Sequence, residues 1–526
     1  MSAKSPSDEV VHDLASKPAT LVKEDLYDEE SVDPVYRAKA HILNQALQEI
    51  GMGKYQWGLF IVAGFGWFSD SVWPLVTGLI LSPVLNEFHF NGPFLSLATN
   101  IGLLVGAILW SFGCDIWGRR WSFNLTLFIG SVFGIAMGGS PTFVALASLA
   151  AVSSVGVGGN MPVDSAVFLD FIPSSHQYLL TILSIWWAIG QLLGSLLAWP
   201  LIANFSCAPS GPCARSDNMG WRYLVFTLGG LMLLLAFARL FAFPLYESPR
   251  YLLGRGYDRE AVVVVREIAR YNETETNITV EDLREAARSA EEKESAHKWR
   301  VLSENSTWTA KHVRALFATK KMAWSTSLLI WIWGLIGLAS TLYNNFLPYL
   351  LASRGAKFQD ATYFTTYRNQ VIISVIGIPS ALLAGWLIEL PYVGRRGTLA
   401  VSAGEMTSLN DPRANPGLTG AFLFASTTAR SSPALLGWNC GYAFFSNIMY
   451  GVLYAASPEV FPANHRGTGN GLTATATRVF GVLAPIIALY ANLNTAAPVY
   501  IAGGLIIGAG GLALLLPFEP RGRASI

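Results

Sequence analysis

Long apolar stretches recur along this chain, separated by short polar breaks. Runs able to cross ~30 Å of hydrocarbon as helices fall at 57–85, 93–113, 122–140, 143–169, 178–203 and 221–245. A polar interval follows, and then six more: 322–351, 366–390, 397–429 (interrupted), 435–457, 469–492 and 496–517. Scattered Gly, Pro and aromatic residues fit membrane helices, where neighbouring helices re-satisfy freed backbone groups. The pattern predicts an all-α membrane protein with 12 transmembrane helices. Its weak point is the ninth run, where "GEMTSLNDPRANPG" (404–417) holds Glu405, Asp411, Arg413 and two prolines, a composition no lipid-facing helix accepts.

Composition agrees: 526 residues at 52% hydrophobic, 13% charged and a mean hydropathy of +0.39 exclude an ordinary soluble enzyme. A net charge of +1 says little about partners, so the placement of basic residues matters more. Arg119 and Arg120, the 248–321 connection, Arg395 and Arg396, Arg466, and Arg521 with Arg523 fall on alternate loops. By the positive-inside rule these face the cytoplasm, together with both termini. The opening residues lack the basic-then-apolar pattern of a signal peptide and read as an acidic disordered tail leading to a short amphipathic stretch. The expected organisation is a cytoplasmic tail (1–53), a six-helix bundle (54–247), a cytoplasmic central loop (248–321), a second six-helix bundle (322–517) with a polar insert at about 404–417, and a cytoplasmic tail (518–526). Such a chain is an integral multi-pass protein, expected in the plasma membrane as a monomer in contact with lipid and not with nucleic acid.

Four cysteines are too few for a disulfide framework. Cys207 and Cys213 share a loop that this topology places outside, where they can pair or stay as two thiols; spacing leaves both open. The same loop offers "NFS" at Asn204 as the best-placed glycosylation acceptor.

The halves repeat each other. Asp170, Pro173, His176 and Gln177 align with Glu459, Pro462, His465 and Arg466, both after the fourth span of a half. "GCDIWGRR" (113–120) and "GWLIELPYVGRR" (385–396) likewise follow each second span. Arg120 to Pro173 is 53 positions and Arg396 to Pro462 is 66, so the second half is longer by 13 residues. The stretch at 404–417 is read as that insert, either a loop splitting the helix or translated intron, and removing 405–416 is expected to leave folding intact.

"VGVGG" (155–159) sits inside a membrane run with no preceding strand, so its glycines are expected to let helices pack closely. No Walker A loop, zinc cluster or nucleophile with its base is evident. No metal or cofactor is expected, the chain is not read as an enzyme, and a gradient must supply the energy.

These motifs resemble the major facilitator superfamily, within it the sugar-porter-like transporters, nearer the branch related to synaptic vesicle protein two. The resemblance covers roughly 50–520 and rests on the Asp115…Arg119-Arg120 loop, "YESPRYL" (246–252), "FEPRGR" (518–523) and Pro458-Glu459…Arg466. Gln177, Tyr246 and Ser111 depart from the family's arginine, proline and glycine. The resemblance implies two homologous bundles in the major facilitator fold and a charge relay at the cytoplasmic helix ends. Its gating residues here would be Asp115, Arg119, Arg120, Asp170, Glu247, Arg250, Glu389, Arg395, Arg396, Glu459 and Arg466.

Polar groups at depth are the candidate solute or proton ligands, because a mid-membrane charge costs ~2.5–3.5 kcal/mol on insertion scales. Asp70, and Asp164 one turn from Asn160, are the candidate proton carriers. Gln191, Asn344, Asn345, Arg368, Asn369, Asn439 and Asn447 complete the expected polar lining, whereas Arg239 and Arg478 are read as structural. The expected function is secondary active transport of a small polar organic solute (a sugar, polyol or organic acid), coupled to protons. Facilitated diffusion, export and nutrient sensing remain open.

Overall fold

A computed structural model describes residues 34–207, 213–295, 313–314, 316–317, 319–345, 347, 362–387, 394–403, 405–406, 415–416, 418–461, 466–490 and 496–517. Among the described residues, ten helical stretches are long and apolar enough to cross a membrane. The first half supplies span 1 (Lys54–Leu79), span 2 (Pro93–Ile116), span 3 (Arg119–Gly138), span 4 (Phe143–Val157 continued by Asn160–Phe171), span 5 (Leu179–Phe205) and span 6 (Gly220–Ala242). The second supplies span 7 (Lys320–Asn344), span 8 (Tyr363–Leu387), span 11 (Arg466–Tyr490) and span 12 (Ala497–Leu514). Span 10 is the 29-residue helix Ser432–Val460, and span 9 comes in two pieces, Gly394–Ala403 and Leu418–Thr427. Ten, one and one make the expected twelve.

Span 1 ends sooner than its apolar run. The chain bends at Ile80 into a separate helix, Leu81–Phe88, whose Glu87 accepts hydrogen bonds from Arg222, Trp221 and Asn218. Partial burial raises the Glu87 carboxyl's pKa, but those donors outweigh it and leave the carboxyl below its ordinary range. The depressed value means this tie is present at neutral pH and is lost as pH falls through it.

The glycines of span 4 serve packing, as their position in a membrane run suggests. A β-carbon at Gly158 would collide with the Leu103 carbonyl of span 2, and one at Gly106 with the Val155 carbonyl of span 4.

The ends of the insert lie together. Glu405–Met406 and Asn415–Pro416 pair antiparallel, with Glu405 opposite Pro416, so the excursion leaves and returns side by side. The Thr419 hydroxyl donates to the Ser402 carbonyl at 2.5 Å across 17 positions. Subtracting the 13 residues of the repeat mismatch leaves four, the separation at which a helical Thr bonds back to its own backbone. Both pieces also pack against spans 10 and 12, the arrangement expected of one interrupted helical column.

At the end carrying Arg119, the helix Pro34–Ile50 buries Leu43, Leu47 and Ile50 against three helices of the central connection, Pro249–Gly254, Asp258–Tyr271 and Val280–Ser295. Lys39 pairs with Asp258 at 2.6 Å, and Arg250 donates to Asn44 at 2.8 Å. The opposite end carries the Cys207–Cys213 disulfide, with Cα atoms 5.7 Å apart, and exposed Asn204. There the halves are joined by neutral hydrogen bonds: Asn345 to Ser96 (2.8 Å), Tyr367 to the Leu79 carbonyl (2.5 Å), and Tyr363 with Ser82 and Asn86.

Candidate functional site

A cavity lies between the halves, lined by Ser165 of span 4, Trp333 of span 7, Tyr454 of span 10, and Asn470, Thr477 and Arg478 of span 11, with neighbours on the same helices. Span 11 contributes at i, i+3 and i+7 because residues at that spacing share one helical face. Arg478 is the cation of this lining, and its Nη2 donates to Asp70 Oδ1 of span 1 at 2.8 Å. That contact ties one half to the other across 408 positions of sequence. Its geometry is uneven: the Arg478 side chain keeps 17% of its surface exposed, the Asp70 side chain 5%. The guanidinium meets the cavity and the carboxylate sits behind it.

An aromatic cluster flanks this pair. Tyr454 packs edge-on against Trp333 at 4.5 Å and Trp67 at 5.1 Å, and stacks on Tyr450 at 6.1 Å. Trp67 lies three residues before Asp70, hence on the same helical face, and its buried indole N–H has no partner among the described residues.

A second ion pair is sealed inside the first half. Arg239, in the π-helical turn Ala238–Ala242 ending span 6, reaches Asp164 of span 4 at 2.5 Å, with both side chains at 0% exposure. Its guanidinium lies over the Phe123 ring, 3.1 Å from the centroid. Asp164 Oδ2 and both amide atoms of Asn160 lack partners among the described residues. A β-carbon at Gly66 of span 1 would strike Asp164, so that glycine makes room for the pair. Changing Arg239 to Leu leaves a buried unpaired carboxylate and is expected to cost about 3–5 kcal/mol, seen as lost monodisperse protein or a lower melting temperature in detergent. The double change with Asp164→Leu is expected to restore most of that loss, since it removes both charges together.

Both arginines were read from sequence as structural, and Arg478 instead enters the cavity. The signal was available: two acids and two arginines at depth in apolar helices should pair, because an isolated charge there is costly. The expected amide lining is dispersed, and none of it is among the residues that line this cavity. Asn344 accepts from Tyr442 at 3.2 Å, Asn439 accepts from the Tyr343 hydroxyl, and Asn447 donates to the Ala443 carbonyl of its own helix at 2.8 Å. Arg368 is exposed and donates to buried Asn369 at 3.2 Å, and Gln191 is half-buried in span 5.

The described gating contacts lie within the first half. Arg119 pairs with Asp170. Glu247 accepts the backbone N–H groups of Arg119 (2.9 Å) and Arg120 (3.4 Å), placing a carboxylate at the N-terminus of span 3, where unpaired N–H groups and the helix dipole favour an anion. Gly118 at φ +95° permits this approach; a β-carbon there would lie 2.7 Å from Glu247 Oε2. Arg250 bonds Asn44 rather than an acid. Glu389 lies outside the described residues, as do the side chains of Asp115, Arg395, Arg396, Glu459 and Arg466.

Residues 93–516 match the family model described as "Sugar (and other) transporter". The chain is 68% identical to MFS siderochrome iron transporter 1 of Ceriporiopsis subvermispora, over 95% of this chain and 94% of that one. It is 39% identical to the major facilitator-type transporter hxnZ of Emericella nidulans, over 94% and 89%. Among solved structures, the proton:xylose symporter XylE bound to 6-bromo-6-deoxy-D-glucose superposes with a TM-score of 0.66 at 16% identity, over 90% of this chain and 98% of that one.

Proposed function

This chain belongs to the sugar (and other) transporter family and is a transporter with the major facilitator fold, not an enzyme; from that premise we propose that it moves a small polar organic solute by alternating access, coupled to protons through Asp70. The carrying observation is the cross-bundle pair of Asp70 and Arg478 at the cavity. Alternating access requires the bundles to rock against each other around a central site, and a charge pair joining them resists that motion. A proton on Asp70 removes its charge and weakens the tie, so the protonation state biases which arrangement is stable.

The charged and titratable groups around Asp70 are Arg478, the tyrosines Tyr450 and Tyr454, and Asp164 with its partner Arg239. Asp164 is sealed against its arginine, so it is assigned to bracing the first bundle and Asp70 to the proton. In the same reading both termini face the cytoplasm, the monomer resides in the plasma membrane, and the two bundles span 54–247 and 322–517.

The test is uptake in a transporter-deficient cell of labelled sugars, polyols, monocarboxylates and a ferric siderochrome, at two external pH values. Accumulation of a small organic solute that grows at lower pH supports the proposal. Accumulation of the siderochrome alone overturns the solute class. The Arg119–Asp170 pair is read as gating, so Arg119→Ala is expected to lower maximal uptake by roughly tenfold with less than about a twofold change in apparent KM. A large, isolated change in KM in initial-rate measurements would place Arg119 in the site instead.

A further inference from the structure

Resting on the alternating-access reading, we propose that the Ser111 hydroxyl of span 2 and the Asn470 amide oxygen of span 11 form a latch between the halves, bonding to each other when the end carrying Arg119 closes beneath the cavity. Spans 2 and 11 come from opposite halves and pack along each other. Toward that end they meet at Gly471, where a β-carbon would lie 2.6 Å from Ser111 Cβ and 2.9 Å from its Oγ. The missing side chain lets the backbone of span 11 lie directly on Ser111.

Ser111 Oγ and Asn470 Oδ1 are both buried without a hydrogen-bond partner among the described residues. Ser111 keeps 3% of its surface exposed and Asn470 8%, so water does not serve them freely. Other helical serines of this chain satisfy themselves on the preceding turn. Ser122, Ser131 and Ser402 each donate to the carbonyl four residues back, at 3.1, 2.6 and 2.8 Å. The Ser111 hydroxyl does not. A buried polar atom without a partner is costly, and these two are complementary, since a hydroxyl donates and an amide oxygen accepts. Asn470 directly precedes Gly471, so a small turn of span 11 about that contact brings the acceptor to the donor.

The place of the pair gives it a task. Asn470 lines the cavity about two turns of span 11 from Arg478, toward the Arg119 end. On the other side of the seam, Trp110 beside Ser111 lies against Gly159, next to cavity-lining Gly158. The halves are already joined at the middle and at the opposite end by Arg478 to Asp70, Ser195 with Ser374 at 2.9 Å, and Asn345 to Ser96. The latch adds a tie at the Arg119 end. Neither of its groups titrates, so it leaves the dependence on protons to Asp70. It stabilises the arrangement in which the cavity faces the side of the Cys207–Cys213 disulfide, loaded or empty.

The test follows which side reaches the cavity, and it needs no solute. A single reactive cysteine is placed at cavity-lining Thr477, with Cys114 and Cys440 changed to Ala and the disulfide kept. The full-length protein is reconstituted in sealed vesicles, and the rate of modification by a charged, membrane-impermeant methanethiosulfonate is measured from each side. Ser111→Ala and Asn470→Leu are each expected to raise the ratio of modification from the Arg119 side over the disulfide side by about fivefold, the effect of one neutral hydrogen bond. Together they are expected to do no more than either alone. Gly471→Ala is expected to raise the ratio further because its methyl group collides with Ser111, and adding Ser111→Gly is expected to return it to the level of hydroxyl loss. Faster modification from both sides at once reports general loosening and overturns the latch, as do an unchanged ratio in the single variants or effects that add in the double. If the parent reacts from both sides and the variants match it, the latch alone falls. If the parent and every variant react from one side only at every pH, alternating access falls with it.

Discussion

Changing Asp70 to Asn is expected to abolish uphill accumulation of solute while leaving exchange of labelled for unlabelled solute intact. The amide mimics the protonated acid permanently, and the loaded carrier needs that state to release its cross-bundle tie to Arg478. Net accumulation also needs a proton to enter with the solute and to leave inside on each turn, and the amide carries none. Exchange returns loaded and never visits the empty state. In proteoliposomes with an imposed pH gradient, the accumulation ratio should fall to about that of passive equilibration, with counterflow near the parent's rate. Asp164→Asn serves as the contrast: its partner Arg239 holds it away from water at 0% exposure, so accumulation should persist in whatever fraction folds. If the Asp70 variant still concentrates solute with the parent's pH dependence, Asp70 does not carry the coupling, and facilitated diffusion becomes the better description.

The second large effect concerns the insert, and it depends on a single residue. Deleting 404–416 removes 13 residues and brings Thr419 to the fourth position after Ser402, preserving the bond already present between them. The two ten-residue pieces then join through Gly417 into a continuous helix of roughly 30 Å, enough to span hydrocarbon. Such a variant should express and run monodisperse at least as well as the parent. Deleting 405–416, which the sequence pattern alone suggested, removes 12 and puts Thr419 at the fifth position. The downstream half would be turned by about 100° relative to the upstream half, taking buried Leu423 and Ser426 off the faces they now bury. Its yield and melting temperature should drop clearly below those of the 13-residue deletion. Equal behaviour of the two deletions, or loss of both, would mean that span 9 is not one helical column.

Much of this was legible in the chain. The count of spans follows from hydrophobic length, since hydrocarbon thickness sets a minimum run whatever the helices pack against. The insert's length followed from comparing the halves, because repeated motifs keep their spacing unless residues are added. Its boundaries are a question of helical phase, which composition does not carry, so the polar stretch and the Thr419–Ser402 bond suggest deletions that differ by one residue. Span 1 was overextended because apolar residues continue past the bend at Ile80, and hydropathy does not register a change of direction.

The site was less legible, and the reason is physical. Periodicity tells which residues of one helix share a face, as with Asn160 and Asp164 or with Asn470, Thr473 and Thr477. It does not tell which helix that face meets. Amides such as buried Asn439 and half-buried Asn447 have the composition of a binding site, yet they bond to the backbone of their own helix and, for Asn439, to Tyr343 of span 7. Sequence by itself determined twelve spans, two related halves, glycines placed in span 4 for close helix packing, and two acids at depth with two arginines elsewhere in the apolar runs. Only tertiary structure decided that Arg239 goes to Asp164 within one bundle while Arg478 crosses to Asp70 at the cavity. Charges in a low-dielectric interior must find partners, and with two acids and two arginines either pairing satisfies that demand. The packing of helices brought together from across the chain selects one.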